Sequence, residues 1–167
     1  MEQRKRYIAY GSNLNLRQMA DRCPTAKVVG KGEIKDHELL FRGSRWSAVA
    51  TVEPKEGVNV PVLIWDIGPD DEKYLDVYEG FPRLYGKTML EVETEDGIES
   101  IMAYTMNAGR MIGAPSHYYY NVIKEGYKDA GFDETFLQKS AEHCLELCEQ
   151  GQGGENMEAS AWHMQLS

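Results

Sequence analysis

No run in this chain is long and apolar enough to span a bilayer. The amino terminus, Met1-Glu2-Gln3-Arg4-Lys5-Arg6, lacks the apolar stretch of a secretory signal. Cysteine is scarce: Cys23, Cys144 and Cys148 are an odd number at no scaffold spacing. That excludes a disulfide framework and leads to an expectation of reduced thiols in a cytoplasmic protein. His143 stands beside Cys144, yet no CxxC pair and no fourth soft ligand accompany them, so neither a metal nor another cofactor is expected. Positive charge is in deficit, with 18 Lys and Arg against 27 Asp and Glu and a formal net charge of −9. Binding nucleic acid needs a basic face, so the expected partner is a small molecule or another protein.

What is present fits one domain with a substantial core, at 167 residues. A short apolar run predicts a strand over Arg6–Tyr10. Leu16, Met19, Ala20 and Cys23 then recur at helical spacing until Pro24. Strands are expected at Val28–Ile34, Glu38–Arg42, Ala48–Val52, Val60–Ile67, Lys87–Glu93 and Glu99–Met106, with Thr94-Glu95-Asp96-Gly97 as a hairpin turn. Pro61 points to a strand start or an edge. A short helix begins at Gly68-Pro69-Asp70-Asp71-Glu72 and stops at Gly80 and Pro82. Two more helices follow. One runs from Pro115-Ser116 to Gly131, and the other begins near Glu134 with Leu137, Ala141, Cys144, Leu145 and Cys148 on one side. Strands without regular helical crossovers imply an α+β fold, a mixed sheet curled into a small β-barrel with flanking helices. The domain is expected over residues 1–149. Residues 150–167 form a Gly-rich linker and tail, for which two readings stand: disorder, or docking of Trp162 on a partner subunit as in a homodimer.

Two segments carry the chemistry. Tyr10-Gly11-Ser12-Asn13-Leu14 leaves a strand and opens a helix, a placement that gathers backbone N–H groups into one concavity able to hold an anion or a polarised carbonyl. The plainer reading is that Ser and Asn only cap the helix. Glu79 ends the short helix next to Gly80, where the negative end of the helix dipole disfavours a carboxylate. Such a breach of local preference marks a functional position, and burial by Tyr78, Phe81 and Tyr85 would raise its pKa towards that of a general base.

The order Tyr10-Gly11-Ser12-Asn13-Leu14, then Leu75-Asp76-Val77-Tyr78-Glu79-Gly80-Phe81-Pro82 with Tyr85 following, resembles the γ-glutamylcyclotransferase family and its AIG2-like relatives. Ala50-Thr51-Val52, Val62-Leu63-Ile64-Trp65, Ala103-Tyr104-Thr105-Met106, Pro115-Ser116-His117-Tyr118-Tyr119 and Gly126 fall in matching order. The resemblance covers about residues 6–140. It implies a metal-independent enzyme that cleaves a γ-glutamyl amide by cyclisation to 5-oxoproline and a free amine or amino acid. Carried over, it puts the catalytic acid/base at Glu79 and the substrate-holding turn at Tyr10, Gly11, Ser12, Asn13 and Leu14, with pocket tyrosines at Tyr85 and Tyr119. The alternative is a relative that kept the pocket as a small-molecule-binding or regulatory interaction protein without turnover.

The residues support the same chemistry. A γ-glutamyl substrate carries its own nucleophile, the α-amine, so no catalytic triad, reactive cysteine or metal is required. One carboxyl of raised pKa can move the protons. Ser12 has no evident base partner, and His117 reads as an exposed residue near a helix start. Tyr119, Val122, Ile123 and Tyr127 form a helical stripe expected in the core, from which Tyr119 can still present its hydroxyl to a pocket.

Overall fold

Tyr7, Ile8 and Ala9 are consecutive and all buried, which a strand achieves only when both its faces are covered. The computed structural model, which describes residues 3–151, shows how. β1 (Lys5–Ala9) pairs antiparallel with β5 (Val60–Ile67), from Lys5↔Ile67 to Ala9↔Leu63. On its other side it meets β7 (Gly97–Met106) in parallel at Tyr7↔Met102. With β2 (Lys27–Ile34) and β6 (Tyr85–Thr94), these strands close a barrel in the order β1-β5-β2-β6-β7. Closure removes the sheet edges. Pro61 pairs with Glu33 of β2, and β1 ends at Ala9↔Leu63, so proline sits at the strand's start where one side has no ladder to lose.

The remaining strands form a second sheet. β3 (His37–Gly43) pairs with β4 (Val49–Pro54) and, at Arg42↔Ile112 and Gly43↔Met111, with the two-residue β8 (Met111–Ile112), giving the order β4-β3-β8. The hairpin turn lies where expected, closing on Thr94↔Gly97, and Gly97 takes the positive φ of 112° that such a turn requires.

Four helices flank the sheets among the described residues: α1 (Leu16–Arg22), α2 (Pro69–Glu79), α3 (His117–Ala130) and α4 (Glu134–Gly151). α2 begins with Pro69 and three acids. Of these, buried Asp71 accepts from the Gly68 N–H at 3.0 Å and from the Thr25 hydroxyl. It ends at Gly80, whose left-handed φ of 66° stops the helix directly after Glu79. Ser116 caps α3 by accepting from the Tyr119 N–H at 3.2 Å. α4 covers β3, and the Phe41 N–H donates to buried Cys144 Sγ at 3.3 Å. Among the described residues no helix is long and apolar enough to cross a membrane. The expected tail, with Trp162, His163 and Met164, lies outside them.

Candidate active site

The opening motif forms a 3-10 turn over Ser12–Leu14 between β1 and α1. It closes with Leu14 N–H on the Gly11 carbonyl and Asn15 N–H on the Ser12 carbonyl, each 3.0 Å. The N–H groups of Ser12 and Asn13 take no acceptor among the described residues, as the first donors of a helical turn must. Capping falls to Asn15, which accepts from the Gln18 N–H at 3.0 Å and donates to the Val122 carbonyl at 3.0 Å. Ser12 and Asn13 are thereby left for other work. Ser12 Oγ lies 2.8 Å from the Tyr78 hydroxyl. Asn13 Nδ2 donates to the Tyr7 hydroxyl at 2.7 Å, and the Asn13 carbonyl accepts from Trp65 Nε1 at 3.1 Å.

A small cleft opens beside this turn. Tyr10, Gly11, Ser12 and Asn13 form one wall, and Glu79 reaches in from the end of α2. Tyr7, Tyr85, Tyr104, Tyr119 and Ala50 complete it. Of the residues expected to hold substrate, Leu14 alone is absent from this lining. It is fully buried, turned against α3, and its N–H is spent within the turn.

The Ala50 peptide anchors the far wall. Its N–H donates to the Tyr119 hydroxyl at 3.0 Å, and its carbonyl accepts from the Tyr85 hydroxyl. Gly11 lies opposite, where a β-carbon would stand 3.1 Å from Ala50 Cβ and 3.5 Å from the Tyr119 oxygen. Tyr10 donates to the Tyr104 carbonyl at 2.6 Å, and Tyr104 donates to Asp76 Oδ1 at 2.5 Å. Burial pushes the phenols of Tyr7, Tyr10, Tyr85, Tyr104 and Tyr119 above their ordinary range, so all five stay neutral near pH 7. Tyr7 and Tyr119 use their oxygens as acceptors, which frees both hydroxyl protons to donate.

Burial raises the Glu79 carboxyl to about 7, opposed by the charge of Arg22. No hydrogen bond contributes to that value. The residues that desolvate it differ in part from those expected. Tyr85 lines the cleft, whereas Tyr78 is 41% exposed and bound to Ser12, and Phe81 lies behind the wall, edge-on to Tyr104 with centroids 6.4 Å apart. Tyr7, Tyr104 and Ala50 were not expected as cleft residues, nor was Arg22 expected to act on Glu79 from outside the lining. Tyr7 carried a usable signal, because a strand that feeds such a turn directs alternate side chains to the same side. Ser12 is partnered by a phenol and not by a base, and His117 lies outside the cleft. Among the described residues no three His, Cys, Asp or Glu side chains are placed to hold a metal, and all three cysteines are buried.

Fold and cleft define a small barrel protein with one desolvated carboxyl facing a backbone turn and ringed by neutral phenols. The family model described as gamma-glutamyl cyclotransferase, AIG2-like, matches residues 7–126, and the chain belongs to that family. A Mus musculus protein named gamma-glutamylcyclotransferase is 27% identical over 141 residues, covering 80% of this chain and 75% of the relative. One from Bos taurus bearing that name is 28% identical over 142 residues, with the same coverage. A solved structure named gamma-glutamyl cyclotransferase superposes with a TM-score of 0.74 at 25% identity, over 83% of this chain and 86% of that one.

Proposed function

We propose that this protein is a gamma-glutamylcyclotransferase, converting a γ-glutamyl amide to 5-oxoproline and a free amine or amino acid. The observation that carries this reading is the desolvated Glu79 carboxyl, without a hydrogen bond among the described residues and set in the cleft formed by the 10–13 turn.

The substrate's α-amine is an ammonium near neutral pH and cannot attack. Glu79, ionised above about pH 7, takes one of its protons. The freed nitrogen attacks the γ-carbonyl carbon, forming the ring C–N bond and a tetrahedral oxyanion. Donors for that oxygen or for the substrate carboxylate are the N–H groups of Ser12 and Asn13 and the hydroxyls of Tyr7 and Tyr119. Collapse breaks the original amide bond, and Glu79 returns its proton to the departing nitrogen. In all, the ring nitrogen sheds two protons and the leaving nitrogen gains two, so no net acid or base is consumed. Acid/base work of this kind contributes roughly 10²–10⁴-fold. Holding the chain folded for ring closure contributes more, since effective molarities of about 10⁵–10⁸ M are reached intramolecularly. The buried thiols Cys23, Cys144 and Cys148 support a cytoplasmic location.

The test is a panel of γ-glutamyl amino acids and γ-glutamyl amines incubated with purified protein, with 5-oxoproline followed by mass spectrometry. At least one should be turned over, and Glu79→Gln should abolish turnover while remaining folded. Tight binding without product across the panel would replace this reading with that of a binding protein.

A further inference from the structure

Arg22, the last residue of α1, differs from four of the protein's seven other arginines in what holds it. Arg4, Arg6, Arg17 and Arg42 each pair with a carboxylate, to Asp66, Glu99, Glu125 and Glu53 respectively. Arg22 is held by neutral groups. Its Nη1 donates to Asn13 Oδ1 at 2.5 Å, its Nη2 donates to Gln18 Oε1 at 3.2 Å, and its guanidinium carbon lies 3.5 Å from the centroid of the Tyr78 ring. Among the described residues no carboxylate pairs with Arg22, so its charge is left to act on what lies near it. The groups on which it acts include Glu79, along with Tyr7 and Cys23.

The contacts also have a geometric consequence. Asn13 Oδ1 accepts from Arg22, so its Nδ2 must face Tyr7, and the Tyr7 hydroxyl proton is turned elsewhere. Tyr78, under the guanidinium, meets Ser12 Oγ through its hydroxyl. One planar cation thus ties the two side chains of the turn to the helix that bears Glu79. We infer that Arg22 is a positioning residue, which clamps Asn13 of the turn to Tyr78 of α2, the residue before Glu79, and brings its positive charge to bear on Glu79. This rests on the reading of Glu79 as the proton carrier.

The groups packed around Glu79 bear on how such a charge is felt. β1 contributes Tyr7, the position just after β1 contributes Tyr10, β6 contributes Tyr85, β7 contributes Tyr104 and α3 contributes Tyr119, all neutral phenols. On Glu79's own helix, Asp76 is taken up by Tyr104 and Lys87. Burial raises the pH at which Glu79 ionises, and among these groups Arg22 is the one that lowers it.

The experiment compares the parent protein with Arg22→Gln and Arg22→Lys. Two readouts are taken: ¹³C NMR titration of the Glu79 carboxyl, assigned by its loss in Glu79→Gln, and the pH profile of kcat/KM. In Arg22→Gln the carboxyl midpoint and the acid limb should both move up, by roughly one pH or more. Arg22→Lys keeps the charge and should leave both where the parent has them. Losing the planar fork on Asn13, it should still lower kcat/KM about tenfold or more. Unmoved midpoints in both variants, or equal movement in both, would overturn the inference, since charge would not then be the cause. If Arg22→Gln fails to fold, Arg22→Met, of similar girth, takes its place. A parent protein that turns over no γ-glutamyl amide defeats the proposed function, and the NMR titration still decides the case of Arg22.

Discussion

A β-carbon on Gly126 would lie 2.6 Å from Leu14 Cβ and 2.7 Å from the Leu14 carbonyl carbon. Glycine is what lets α3 cross directly against the 12–14 turn, and the nearest atoms include backbone that cannot swing aside. Gly126→Ala should therefore destabilise the protein by about 1–3 kcal/mol through overpacking. It should also lower kcat/KM, because the turn forming one wall of the cleft has to shift. Urea denaturation together with steady-state kinetics measures both effects. A variant with full stability and activity would show that the turn yields without consequence.

Glu79 should make stability depend on pH. Its carboxyl ionises near 7 in the folded state, against an ordinary value of 4.5. Between those values the folded protein binds more protons than the unfolded chain, so stability falls as pH rises from about 4.5 to 7 and is level above that range. Glu79→Gln should abolish this slope and be the more stable protein at pH 8, by roughly 3 kcal/mol at most. Chemical denaturation of both proteins from pH 4.5 to 8 reads the difference. Parallel curves would mean that Glu79 is solvated.

The Ala50 peptide offers a second measurement. Tyr119→Phe leaves its N–H without the acceptor it now has at 3.0 Å, and an unpaired buried donor costs about 1–3 kcal/mol. Tyr85→Phe leaves the Ala50 carbonyl, a better tolerated loss, since carbonyl oxygens more often go under-satisfied. Tyr119→Phe should thus be the more damaging to both stability and turnover. Thermal melts and kcat values for the pair test the ranking.

Asp76 links the cleft to the surface. It accepts from Tyr104 at 2.5 Å and pairs with Lys87 at 3.0 Å, and Lys87 also binds Glu72 at 2.7 Å. Asp76→Ala strands the Tyr104 hydroxyl and should cost about 1–3 kcal/mol. Asp76→Asn keeps an acceptor and should cost under about 1 kcal/mol, as expected when only a half-exposed ion pair is lost. Equal losses in the two variants would assign the effect to charge and not to the hold on Tyr104.

The long elements were legible because their periodicity is local. Val60–Ile67 is an unbroken apolar run, and α3 carries its stripe from Tyr119 to Ala130 between Ser116 and Gly131. Glu79 could be read because it breaks a local rule, a carboxylate at a helix's carboxyl end. What could not be read depends on residues distant in sequence. β8 is two residues that pair only with Arg42 and Gly43, too short to show a pattern. The separation of β3 and β4 into a second sheet leaves no mark on their own alternation. Tyr104 reaches the cleft through the parallel pairing of β1 with β7, and Leu14 turns inward because a helix more than a hundred positions later arrives without a side chain at Gly126. Arg22 carries no local signal, and its partners Asn13 and Tyr78 meet only once α1 and α2 are side by side.

Tyr7 stands opposite Met102, so the barrel is shut by the first strand and the last of its five. A polypeptide still emerging from the ribosome owns no cavity until that late strand has been made and has zipped alongside the earliest. A protease cut that lets either strand drift away would remove Tyr7 or Tyr104 from the chamber wall. Half-made or nicked copies thereby lack a closed barrel.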